Sequence, residues 1–281
     1  MWGVQGRYFQ RSTMKRTTTK STRTFITEDF LLHNNVARVR RAGFRAEVSH
    51  ELADFHAFYD QMYVPFIRSR YGAESVVSHR ARLERCFRQG GIVWALDQGR
   101  RVAGVLVRQR GTTLDFVVVG TAGGTPEPAR TGAVFAIDLF ALEHARALGC
   151  TMVDFGGSRA SPSDGLLLYK ARWGARVLAN RTTFYDLCLS WRRLTPPLLA
   201  LLAHTPLIFR QADGLAALWS LVGASNDAPP EMAAAAAVLR SLRRIYLLGG
   251  TDGDAPILPI PSVRIDPAAQ PSWHPPRDAA G

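Results

Sequence analysis

The stretch Thr151 to Ala175, TMVDFGGSRASPSDGLLLYKARWGA, constrains the fold more than any other part of the chain. A β-rich run, Thr151 to Phe155, meets a double glycine, Gly156 and Gly157. A polar loop, Ser158 to Gly165, then opens a short apolar helix carrying Tyr169 and Lys170. That order suits the floor of a cleft. The stretch also holds the only lysine after residue 20, in a chain with 32 arginines and three lysines. Arginine is this chain's ordinary surface cation, which makes Lys170 the first candidate for a functional group. Its plainer reading is a helix-surface lysine paired with Asp164 or Asp154.

Upstream, Ser49 can cap a helix whose apolar stripe falls at Leu52, Phe55, Tyr59 and Met62, and a second helix near Val76 to Arg88 follows the Arg70-Tyr71-Gly72 break. Then the period changes. Ile92 to Leu96, Arg101 to Gln109 and Thr113 to Val119 are short β-branched runs separated by Asp97-Gln98-Gly99 and Arg110-Gly111-Thr112, a three-strand antiparallel meander. After a Gly/Pro loop, a helix from Thr131 carries Val134, Ile137, Ala141, Ala145 and Leu148 on one face before Gly149 closes it. The strand Met152 to Phe155, the Tyr169-Lys170 helix and a last strand at Thr182 to Leu189 complete an α/β (α+β) unit: a mixed, mostly antiparallel sheet flanked by helices.

Beyond Trp191 the composition shifts to Leu, Ala and Pro. An apolar block over 194–223, including Leu198, Leu199, Leu201, Leu202, Leu207, Ile208 and Phe209, precedes an alanine helix expected from Glu231 to about Leu248. The block packs on the domain or lies in a membrane interface; it is too short and broken to span a bilayer. Four regions follow: a basic arm and linker helix at 1–43, the sheet domain at 44–192, a helical appendage at 193–248, and a Pro-rich tail at 249–281 that lacks a core period and is expected to be extended or disordered.

The net charge of +12 looks like a nucleic-acid signal until it is located. Residues 1–45 hold ten Lys or Arg against Glu28 and Asp29, and the rest of the chain is only +4. The basicity is an arm that can touch phosphates or an anionic membrane surface, or simply stay solvated. Cys86, Cys150 and Cys188 are odd in number, far apart and without a C-x-x-C pair, so they read as small core residues in a reducing compartment. No leader-like N-terminus and no apolar run of about 18 residues is present, which predicts a cytoplasmic chain, at most peripheral to the inner membrane. No residue spacing suggests a metal site.

Asp154-Phe155-Gly156, the Tyr169-Lys170 pair and Trp173-Gly174 together resemble the end of the acyltransferase domain in the Fem family of peptidoglycan aminoacyltransferases and its relatives in the GNAT superfamily of N-acetyltransferases. The resemblance implies a GNAT-like fold over roughly residues 44 to 190. It also implies acyl or aminoacyl transfer from an activated donor to an amine by direct attack. Fem relatives usually carry two such domains joined by a basic helix that ends like NNVARVRRAG, Asn34 to Gly43; only the second is present. The acceptor, a small molecule or a glycan or peptide amine, therefore does not carry over.

For the site, the resemblance implies carbonyl-polarising backbone amides near Val117 to Gly120, naming Val118, Val119 and Gly120, where one strand splays from its neighbour. Lys170 would stabilise charge on the donor or transition state, and Tyr169 would pack against the donor. Acyl-coenzyme A is the expected co-substrate, with no tightly bound cofactor. Its pyrophosphate would call for a glycine loop, for which Gly123, Gly124, Arg130, Thr131 and Gly132 stand in without the usual spacing; a turn plus a helix cap explains the same residues. Aminoacyl-tRNA is the alternative donor, and it would account for the basic arm. From the residues themselves, Asp154 can accept a proton or bind the amides of its own turn. Arg159, Ser161, Ser163 and Asp115 can line the acceptor side. The rival readings are a non-catalytic nucleic-acid-binding protein and a membrane-surface-binding protein; the first has only the basic arm in its favour.

Overall fold

The computed structural model describes residues 22–26, 39–125, 131–179, 194–222, 230–249 and 262–265. They form two sheets. The first has strand order β2-β3-β4-β5-β6-β1-β7, with β1 Thr22–Ile26, β2 Arg45–Ser49, β3 Gly90–Asp97, β4 Arg100–Arg110, β5 Thr113–Thr121, β6 Met152–Ser158 and β7 Arg176–Ala179. Every pairing is antiparallel except β5 with β6. This is the mixed, mainly antiparallel sheet that the sequence predicts, and its β3–β5 meander turns at the two expected places.

Helices α1 Leu52–Ala57, α2 Val64–Tyr71 and α3 Arg80–Phe87 cover one face. Phe55, Phe58, Tyr63, Leu83 and Phe87 meet Ile92, Trp94 and Leu106 there, and Phe58 stands edge-on to Trp94 at 5.7 Å between ring centroids. Helix α4, Ala133–Ala147, covers the other face and buries Ile137, Ala141 and Ala145 against Val93, Val105, Val107, Leu114 and Phe116.

Two predicted stripes shift for local reasons. Ser49 ends β2 rather than capping a helix: its hydroxyl donates to Asp54 Oδ2 at 2.5 Å and accepts from Glu51 N. Between α1 and α2, Phe58–Tyr63 is a π-helical turn. The wider turn moves the inward position by a residue, so Phe58 and Tyr63 are buried where Tyr59 and Met62 were expected, and Leu52 is exposed. In α4, Leu148 falls past the helix end and is exposed.

Region 1–43 is not only an arm. Thr22–Ile26 is a strand between β6 and β7, antiparallel to both. The remainder of that region before residue 39, the strand expected at Thr182 to Leu189, Cys188 and most of the tail lie outside the described residues.

The expected helical appendage is an α/β unit. Helix α5 spans Gly165–Arg172, and helix α6 spans Pro196–His204. Helix α6 precedes a second sheet of order β11-β10-β9-β8, with β8 Leu207–Gln211, β9 Gly214–Ser220, β10 Arg244–Leu248 and β11 Ser262–Ile265. β9, β10 and β11 run parallel, and β8 is antiparallel to β9. The alanine helix is cut to α7, Pro230–Ala234, and α8, Ala236–Leu239; of the rest of its predicted length, 240–243 is a turn and Arg244–Leu248 is a parallel strand. Ser262–Ile265 within the predicted tail pairs with β10. The apolar block packs inward: Leu199 and Leu202 close on Leu218 and Leu248, and Ile208, Ala217 and Trp219 join a core with Leu167 and Ala171 of α5. Among its described residues, Leu201 and Val222 are the large apolar side chains left exposed. No described helix is long and apolar enough to cross a membrane.

Candidate active site

β5 and β6 pair only over Thr113–Asp115 and Met152–Asp154. β5 continues along β4 to Thr121, with an irregularity that leaves Val117 between the partners of Val107 and Leu106. β6 meanwhile turns away, because Gly156 takes a φ of 74°, a left-handed conformation that a side chain would strain. Asp154 fixes that turn: its Oδ1 accepts from Gly156 N at 2.8 Å. On its other edge β6 stays paired with β1 on both sides of the turn, through Val153 and Asp154 before it and Gly157 and Ser158 after it. The β5–β6 pairing therefore ends at Asp115 and Asp154, and Val117 to Gly120 lie on the part of β5 beyond it, beside the opening between the two strands. Gly120 lies buried beneath Met62 and Tyr63.

Helix α5 crosses at that opening. Asp164 caps it, accepting from Leu167 N at 2.9 Å. Leu167 and Ala171 face the second core, and Trp173 is fully buried in the first. Lys170 is only 4% exposed, and its ammonium donates to Gly156 O at 3.0 Å and Gly157 O at 2.9 Å. This burial takes the lysine off the helix surface, and Asp164 is engaged in the helix cap. A buried ammonium is costly unless neighbouring groups stabilise it, so its placement on the splayed strand requires a compensating arrangement.

Part of that arrangement is Asp138, which the sequence reading missed. It sits in α4, 4% exposed, and Tyr169 Oη donates to its Oδ2 at 2.5 Å. Burial pushes the Asp138 carboxyl up to about 7, although the Tyr169 hydrogen bond and the Lys170 charge pull it down. Burial and the Asp138 charge push the Tyr169 hydroxyl well above its usual range, so it remains the donor. The Tyr169 ring packs edge-on to Phe135 at 5.0 Å. Asp138 was detectable in principle as a single carboxylate on the otherwise apolar α4 face, between Ile137 and Leu139.

The other candidates are dispersed. Asp115 is buried and held in ion pairs, with Arg108 at 2.5 Å and Arg110 at 2.7 Å; burial raises its carboxyl, but the hydrogen bonds from Arg110 and Arg108 outweigh it and hold the group below its ordinary value. It sits beside Asp154 in the β5–β6 register, spent on structure rather than open to an acceptor. Arg159 is exposed, and Ser161 and Ser163 hydrogen-bond each other at 3.0 Å. Gly124 is pressed on α2: a Cβ there would fall 2.5 Å from Pro65 C and 2.8 Å from Phe66 N. Gly123 is exposed, and Gly132 caps α4 with Thr131 exposed before it. Arg130 lies outside the described residues. The described part of this segment is a turn and a helix cap.

No family model matches the chain, and no curated protein matches it significantly in sequence. Among solved structures it is similar to L-PGS from Bacillus licheniformis (14% identity, TM-score 0.41, 56% of this chain and 57% of that one) and to FemX (12%, 0.43, 56% and 59%). It is also similar to the C-terminal domain of a lysylphosphatidylglycerol synthetase candidate from Agrobacterium fabrum (11%, 0.35, 55% and 51%). The chain thus spans between half and three fifths of the solved chains it matches.

Proposed function

We propose that this chain is an acyltransferase of the Fem-like kind, moving an acyl or aminoacyl group from an activated ester to an amine at the opening between β5 and β6. The observation that carries the reading is the buried Lys170 ammonium on the Gly156 and Gly157 carbonyls, at the place where β6 leaves β5. In the proposed reaction the amine nitrogen bonds to the donor carbonyl carbon, and the carbonyl oxygen becomes an oxyanion. The bond from that carbon to the leaving oxygen or sulfur then breaks, and the leaving group departs with a proton that the amine has given up. Backbone amides from Val118 to Gly120 and the positive charge of Lys170 are suited to the oxyanion and the leaving group.

Of the two donors, an aminoacyl ester on tRNA is the better reading. The glycines that would cradle a coenzyme A pyrophosphate lack the usual spacing, and Gly124 among them serves close packing on Pro65 and Phe66. The ten basic residues among 1–45 suit a polyphosphate partner.

The test is single-turnover transfer to hydroxylamine from lysyl-tRNA, alanyl-tRNA and acetyl-coenzyme A, with wild type and Lys170→Met. An electrostatic donor of this kind is worth roughly 3 to 4 kcal/mol, so Lys170→Met should lose a hundredfold or more. Transfer at the parental rate by a folded Lys170→Met, or none from any of the three donors by wild type, sinks the reading.

A further inference from the structure

Asp138 has a place in the site that its own helix does not explain. An apolar residue would serve α4 packing better, since the strands beneath turn only apolar side chains toward it, among them Val93, Val105, Val107, Leu114 and Phe116. Among the described residues, the polar groups that act on it come from α5, as the consecutive residues Tyr169 and Lys170. One of these it holds directly by a 2.5 Å hydrogen bond, and the other it reaches through charge. Lys170 in turn is fixed on the carbonyls of the two glycines at which β6 leaves β5. Asp138, Tyr169, Lys170 and the Gly156–Gly157 turn thus form one connected path from the middle of α4 to the opening between the strands.

We propose that Asp138 is a positioning residue of the transfer site, setting Tyr169 and the Lys170 ammonium from beneath, and that the site is competent only when this carboxylate is ionised. The proposal rests on the transferase reading above. The physical reason is the cost of a buried ammonium. The carbonyls of Gly156 and Gly157 offer it dipoles, whereas an ionised Asp138 adds a full opposite charge in a medium that screens weakly. Once Asp138 takes a proton that charge is gone. The Tyr169 hydroxyl then loses a charged acceptor for a neutral one, which weakens the bond that holds the ring. Burial brings the Asp138 carboxyl up to about 7, so this change falls where a cell or an assay samples it. Among the described residues, Asp115 and Asp154 occupy the strand positions between Leu114 and Phe116 and between Val153 and Phe155, alternating with the side chains that pack on α4.

The full-length chain is titrated by infrared difference spectroscopy between pH 5 and 9, with wild type, Asp138→Asn, Tyr169→Phe and Lys170→Met. Wild type should show a protonated-carboxyl band that disappears with a midpoint near 7. Asp138→Asn should lack the band. Tyr169→Phe and Lys170→Met should move the midpoint upward, because each removes a group that favours the ionised form. In the transfer assay above, wild-type rate should fall about tenfold per pH unit below that midpoint, and the Asp138→Asn profile should lose this limb while its rate at pH 8 drops at least tenfold.

A purely structural Asp138 would lower the melting temperature and leave the limb in place, which overturns the proposal. So does the absence of any band that Asp138→Asn removes. The infrared arm needs no turnover: a titrating band in a protein that transfers nothing defeats the transferase reading, and a missing band in an active protein defeats this one. If Asp138→Asn does not fold, Tyr169→Phe keeps the carboxylate and the ring, and its unshifted midpoint and limb would be equally fatal.

Discussion

Replacing Asp138 with Asn should stabilise the protein at neutral and alkaline pH, and the gain should vanish in acid. The carboxyl has an ordinary value of 3.8 and stands at about 7 in the fold. The sign is the reverse of that for a salt-bridged carboxylate. Below 3.8 both folded and unfolded chains hold the proton, and Asp138 costs nothing. Between 3.8 and about 7 the unfolded chain gives the proton up while the folded chain keeps it, so stability falls as pH rises. Above 7 the penalty is complete, and a difference of about 3 pKa units amounts to about 4 kcal/mol at 1.36 kcal/mol per unit. Asn matches the shape of the protonated carboxyl and has no such dependence. For a chain of this size 1 kcal/mol corresponds to roughly 2 to 4 °C, so the variant should melt roughly 10 °C above wild type at pH 8 and level with it at pH 4. Paired melts followed by circular dichroism from pH 4 to 8 measure this, because every other titration is common to both proteins and cancels in the difference. A difference in melting temperature that stays constant with pH refutes the reasoning. A confirmed gain would mean that the native carboxylate is kept at the expense of stability, as groups needed for function often are.

Asp115 should behave with the opposite sign. Arg110 and Arg108 hold its carboxyl below the ordinary value despite its burial, so its contribution is present above 3.8 and lost as the pH falls through its depressed value. Asp115→Asn should cost about 3 kcal/mol in urea unfolding at pH 7, by leaving two guanidinium groups without their carboxylate, and the deficit should shrink below pH 3; an equal deficit at both pH values would sink this account. Deletion of residues 194–222 should abolish cooperative melting rather than release a folded domain. Ile208, Ala217 and Trp219 from that segment close the core over Leu167 and Ala171 of α5, the helix that carries Lys170. A truncated chain with a sharp melt and native near-UV circular dichroism would show that α5 does not need that cover.

What the sequence revealed and what it hid follow the range of the interactions concerned. The β3–β5 meander could be read because its turns are local: Gln98 and Gly99 have φ of 46° and 79° and Gly111 of 55°, and the sequence marks both places with glycine. The α5 helix could be read for the same reason, since Asp164 announces its cap and the rarity of lysine singles out Lys170. β1 could not, because Thr22–Ile26 is a strand only by virtue of β6 and β7, more than 120 residues away. The second sheet was hidden differently. Buried parallel strands such as β9 and β10 are apolar on both faces and show no alternation, so in a Leu- and Ala-rich segment helix propensity was the only visible signal and it pointed the wrong way. The site divides along the same line. Lys170 and Tyr169 lie together in the sequence and in space, but Asp138 is 31 residues before Tyr169 and on another helix. Within α4 it looks like a flaw in an apolar face. Its meaning appears only when α5 is laid across the splayed strands and the carboxylate is found holding the Tyr169 hydroxyl, next in sequence to the buried ammonium. A lone charged residue on a helix face otherwise fit for burial is therefore the residue to question first, since the cost of burying it has to be offset by something the local pattern does not contain.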